Sequence, residues 1–162
     1  MKALTVKQPH ASLIVEGIKD IENRTWKTNF RGMVLIHAGI KPDNIKLEIE
    51  GQASVKEIEM FSALGRSEDD NLFGCIIGSV EIVDCVINHP SIWAEKQHCL
   101  YHAPCNDLTK RPNCLDGCMY FSKPIYNWVL ANPIKFEKPI PCKGKLRFWE
   151  YPDELLNQNN LI

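Results

Sequence analysis

Lys19, Glu22 and Arg24 lie within six residues of one another near the N-terminus, preceded by Gly17 and followed by Trp26. Their chemistry is complementary. Arg24 offers a planar fork suited to a phosphate or a base edge. Lys19 can hold a phosphate as a point charge or, if desolvated, serve as a base. Glu22 can accept from an exocyclic amino group, as carboxylates do from cytosine. Trp26 can stack on a base, worth roughly 1–3 kcal/mol, although a tryptophan there reads more readily as core. On residue types alone, Glu22 and Arg24 also suit an ion pair at a barrel mouth.

Other candidates lie outside that cluster. Gln8 and His10 precede the first helix, where a ligand contact and a packing role are both open. His37 ends an apolar run and reads as a satisfied core histidine. Lys143, Lys145 and Arg147 form a basic, glycine-containing turn that could flank a cleft and hold a backbone phosphate; a solvated basic loop is the alternative. Four of the seven cysteines, Cys99, Cys105, Cys114 and Cys118, fall within twenty residues, beside His98 and His102. Four thiolates are the right set for a closed structural zinc site, yet no C-x-x-C knuckle is present, and a flexible loop with free thiols is the other reading. No other cofactor is implied. Cys75, Cys85 and Cys142 read as buried strand or loop residues.

The elements that must position these groups are short. Residues 3–6 alternate as a first strand, and Pro9 suits the first turn of a helix that ends at Gly17, a C′ glycine. Over 19–26 the alternation predicts a strand with Glu22, Arg24 and Trp26 on one side and Lys19 on the other. If Lys19 sits in the turn before that strand, all three charges can converge on one cleft. Residues 33–37 read as a buried strand, 42–64 as one or two helices, 67–71 as an acidic loop and 73–87 as the strongest strand. Residues 128–130 and 145–149 read as strands, with the prolines between them marking loop or edge. The tail from 154 reads as frayed or as a short docking helix. One domain over 1–162 is expected, with a Cys/His-rich insertion at about 88–124.

Composition narrows the function classes. The chain of 162 residues is 44% hydrophobic and 24% charged, with a net charge of −1. A chain this close to neutral does not hold duplex DNA by a whole charged face, so nucleic-acid contact must be local. No apolar run reaches the length needed to cross a bilayer, and Lys7, Gln8 and His10 break the N-terminal pattern a signal peptide requires. A cytoplasmic protein with reduced thiols is expected; its oligomeric state is not legible.

The motif Gly17, Lys19, Glu22, Arg24 is the complete G-x-K-x-x-E-x-R pattern of the ASCH family, and the chain resembles that family elsewhere too. Thr25-Trp26, Arg31-Gly32, residues 35–39, 78–85, 127–133 and 139–144 look like its successive segments. The resemblance implies an α+β fold: a small mixed β-barrel of the PUA-like type, with one to three flanking helices and a cleft around the motif. PUA domains bind RNA, so the implied partner is RNA or a nucleotide. The implied ligand contacts are Gln8, Gly17, Lys19, Glu22, Arg24, Trp26 and Lys143. Some small bacterial members look like amidohydrolases that deacetylate N4-acetylcytidine, which would make Lys19 and Glu22 the catalytic pair. In those members the motif lysine works with a threonine nucleophile, and Glu22 stands at that position here. A carboxylate cannot replace a hydroxyl as attacking group, though it can act as base for a water. A non-catalytic adaptor is the third reading.

Overall fold

The computed structural model describes residues 1–41, 72–96 and 124–158, with side-chain surroundings through 156. The helices expected over 42–64, the acidic loop 67–71 and all four cysteines of the expected zinc set lie outside the described residues.

The chain runs β1 (Lys2–Val6), α1 (His10–Val15), β2 (Ile21–Arg24), β3 (Gly32–Ala38), β4 (Cys75–Val86), β5 (Tyr126–Pro141), β6 (Phe148–Glu150) and α2 (Asp153–Gln158). The strands form one mixed sheet in the order β2-β5-β4-β3-β1-β6. β1 and β3 run parallel, and the other neighbours pair antiparallel. The sheet curls, so its ends approach each other. Trp26, just beyond β2, packs edge-on against Phe148 of β6 at 5.4 Å, and Trp128 of β5 stacks on the same ring at 5.2 Å.

The period-2 alternation of the strands sorts the two faces. Leu4, Val6, Val34, Ile36, Val80, Ile82 and Trp128 face the inside of the curl, where Ala11, Ile14 and Val15 of α1 fill the space. Ala3, Leu35, Ile76, Ile140 and Trp149 face outward and are covered by Tyr151 and by Leu156 of α2. Trp128 is fully buried, so its replacement by alanine would cost about 3–5 kcal/mol. The expected docking helix at the C-terminus is therefore present, anchored by Leu156.

Two strand boundaries differ from the reading by pattern. β5 continues through Pro133, Pro139 and Pro141. This is sterically permitted because β2 pairs with Tyr126–Val129 and, among the described residues, the rest of β5 is an edge on that side, where a missing N–H costs nothing. Its register against β4 slips three times, which takes up the bends. The last strand begins at Phe148, not Lys145. Arg147 adopts a left-handed backbone, φ 60°, which ends the extended run.

Candidate functional site

The motif is shaped by the end of α1. Gly17, with φ 75°, turns the chain back, and the amides of Ile18 and Lys19 both donate to Leu13 O, at 2.9 and 3.0 Å. A side chain at Gly17 would have to take a left-handed backbone and would press on Pro133 at 3.1 Å. Gly17 thus acts through conformation, setting Lys19 in the turn immediately before β2.

Glu22 and Arg24 pair in register with Trp128 and Tyr126, and so share the inner face of the curl. Lys19 folds back to meet them. Its Nζ donates to Ile21 O and lies 3.6 Å from Glu22 Oε2. Arg24 Nη2 donates to Glu22 Oε1 at 2.9 Å and to the Thr5 carbonyl at 2.9 Å. Lys19 is 4% exposed and Glu22 8%, whereas 24% of the Arg24 side chain is exposed. Two cations therefore share one carboxylate at a largely desolvated position. Arg24 Nε is buried and has no hydrogen-bond partner among the described residues.

A wall of the site comes from a loop in which the sequence shows no regular pattern. Asn23, on the opposite face of β2, donates to Trp93 O at 2.9 Å and accepts from the Glu95 amide at 3.1 Å. Asn127 donates to Asn23 Oδ1 at 2.9 Å and to Glu95 O at 3.2 Å, and its own Oδ1 takes the His89 amide at 3.0 Å. Ser91 Oγ donates to Asp20 at 2.5 Å. These bonds dock residues 88–96 onto β2 and β5, and Trp93 packs with Leu13 and Ile21. The Trp93 ring lies 5.8 Å from Lys19 Nζ, close enough for a cation–π contact that helps hold the ammonium in place. The only sequence signal for this dock is the amide side chain at Asn23, inside the motif and facing away from Glu22.

The remaining candidates are distributed differently. Gln8 is 1% exposed, and its amide is committed to α1. It accepts the Ser12 N–H at 3.1 Å and donates to Ser12 Oγ and Leu72 O at 2.9 Å each. It satisfies a helix-end donor and is not brought into the cleft. Trp26 is half-buried, edge-on to Trp128 at 4.5 Å, with Arg147 over its ring at 5.8 Å. Glu81 bonds Asn132 at 2.7 Å on the β4–β5 surface, apart from the motif.

Lys143 is exposed on the β5–β6 loop, which sits on His37. His37 Nε2 meets Cys142 O at 3.1 Å, so it must be the protonated nitrogen, while Nδ1 is buried with no partner among the described residues. Burial holds this imidazole below its ordinary value, against the bond to Cys142. Gly144 lies so close that a Cβ would stand 2.4 Å from His37 Cε1. Thr5 Oγ1 donates to Lys145 O at 2.9 Å, which secures the same loop.

Among the described residues, a mixed, curled sheet with two short helices, carrying a Gly-x-Lys-x-x-Glu-x-Arg cluster at the start of β2, defines a class. The chain belongs to the ASCH domain family, whose model matches residues 4–140. It is 27% identical over 157 residues to "Activating signal cointegrator 1" of Homo sapiens, covering 94% of this chain and 22% of that protein. Its likeness to the Mus musculus protein of the same name is equal, 27% over 158 residues with the same shares. The chain thus spans about a fifth of the length of these curated relatives. Among the described residues no helix is long and apolar enough to cross a membrane.

Proposed function

We propose that this protein binds single-stranded RNA or a nucleotide in a PUA-like barrel cleft, through Lys19, Glu22 and Arg24. One observation carries the reading: among the described residues, Lys19 and Arg24 oppose a single carboxylate in a largely desolvated site, and Arg24 Nε has no partner there. A surplus positive charge out of water is costly unless an anion completes it. A phosphate supplies that anion, with acceptor oxygens for the guanidinium fork. The near-neutral chain favours a short strand over a duplex.

The test is fluorescence anisotropy with a labelled RNA of on the order of eight nucleotides. Lys19→Ala should weaken binding roughly tenfold or more, the worth of one charged hydrogen bond. Wild-type affinity in that variant, with the fold intact, would remove the site from the reading.

An amidohydrolase acting on N4-acetylcytidine is the second reading, favoured by the buried Lys19–Glu22 pair. Against it, both Glu22 oxygens already face cations, at 2.9 and 3.6 Å, so neither is free to orient an attacking water. Acetate release by the wild type, absent in Lys19→Ala, would establish that activity.

A further inference from the structure

We infer that the β5–β6 loop, residues 142–147, is a second binding surface for the nucleic acid: Lys143, Lys145 and Arg147 hold successive phosphates, and Leu146 takes an unstacked base. This rests on the nucleic-acid reading above and extends it to a surface outside the motif.

The loop has an unusual composition for an exposed turn. From Lys138 to Trp149 the chain carries four cations and no carboxylate. Lys143, Lys145 and Arg147 are exposed, and among the described residues none of the three pairs with an acidic side chain. Leu146, set among them, is 92% exposed, more than any other large apolar side chain among the described residues. A leucine this exposed adds little burial to the fold, and set among cations without acidic partners it offers a surface suited to a partner that is both anionic and apolar.

The loop is also held in place, so these groups are presented and do not wander. Its backbone is tied at Cys142 O to His37 and at Lys145 O to Thr5. Gly144 fits against the His37 ring where no other residue could. Thr5 makes the connection to the motif: its carbonyl accepts from Arg24 while its hydroxyl donates to the loop. Through Thr5 the loop is joined directly to Arg24, and Arg147 of the loop lies over the ring of Trp26, two residues beyond Arg24.

Among anionic partners with an apolar element, a single strand fits best. Its phosphates repeat along the chain, which suits cations placed at every second residue of the loop, and its bases offer flat apolar faces between them. A lipid surface would need a broad apolar face, whereas a single leucine gives only marginal attachment.

The experiment compares wild type with Lys143→Gln/Lys145→Gln and with Leu146→Ser, all exposed positions, using labelled single-stranded RNA over a salt series. The double variant should flatten the slope of log affinity against log salt by about 0.7 for each phosphate no longer neutralised, about 1.4 in all. Leu146→Ser should weaken binding roughly tenfold with the slope unchanged, as removal of an apolar side chain requires. Wild-type affinity and slope in both variants, with Lys19→Ala still impaired, would overturn the loop surface and leave the cleft standing. Absence of RNA binding by the wild type would end both. Leucine-dependent sedimentation with phosphatidylserine vesicles, without an effect on RNA, would reassign the loop to a membrane surface.

Discussion

Arg24 donates to the backbone carbonyl of Thr5 across 2.9 Å, joining β2, at one end of the sheet, to β1, next to the other end. The same nitrogen meets Glu22. The motif arginine thus closes the curl and, in the same arrangement, fixes the charge balance of the cleft. Arg24→Lys ends one atom short of the Nη2 position that meets both Thr5 O and Glu22, so the ammonium can keep the ion pair but not both contacts. It should lower stability by about 1–3 kcal/mol, read by urea denaturation. Thr5 takes part in this bond only through its carbonyl, so Thr5→Val should leave the Arg24 bond intact while freeing the β5–β6 loop.

Among the described residues Glu22 is the single counter-charge for two cations, so its removal is worse than that of either. Glu22→Ala should destabilise the fold by about 3 kcal/mol, the usual cost of breaking a buried ionic cluster from one side. Lys19→Ala should cost less, since it leaves Glu22 paired with Arg24. A double-mutant cycle between the two positions checks this: the penalty of Glu22→Ala should shrink when Lys19 is already absent.

His37 makes stability depend on pH. Burial lowers its pKa from the ordinary 6.5, and its bond to Cys142 needs only the one ring proton of the neutral form. The unfolded chain therefore binds the second proton more readily. The contribution is complete above about pH 6.5 and is lost as pH falls toward the folded value. Thermal denaturation between pH 5 and 7.5 should show the melting temperature rising with pH. His37→Gln, which keeps a donor but does not titrate, should flatten that rise.

Burial pushes the Cys75 and Cys142 thiols up, with the Cys142 charge adding to the effect at Cys75. Both should alkylate with iodoacetamide far more slowly in the native protein at pH 7.5 than after denaturation. Peptide mapping after timed labelling reads the two sites separately.

Asn23 supports the wall over Lys19 without touching it. Asn23→Ala removes its bonds to Trp93, Glu95 and Asn127 and should cost about 1–2 kcal/mol. Hydrogen exchange should accelerate at the Glu95 amide and remain slow in β3 and β4.

Much of this architecture is legible in the sequence because the signals are local. The glycine turn, the alternation of β2 and the run of β-branched residues in β4 all carry their own period. The convergence of Lys19 on Glu22 follows from placing Gly17 as a C′ residue. The length of β5 is hidden by its prolines, since whether a proline interrupts a strand depends on which neighbour is missing, a fact of topology. The start of β6 follows from the left-handed backbone at Arg147, which an arginine does not announce in the sequence. The Trp93 wall is illegible for a related reason: its hydrogen bonds come from Asn23 and Asn127, and nothing in residues 88–96 announces them.

The most direct test of the central claim is an amide chemical-shift titration of the wild-type protein with a short single-stranded RNA. The account predicts the largest shifts at residues 18–24 and at Thr5, with a second set at 142–147. Binding that leaves the amides of Lys19, Glu22 and Arg24 unmoved, and shifts only residues distant from them, would contradict it.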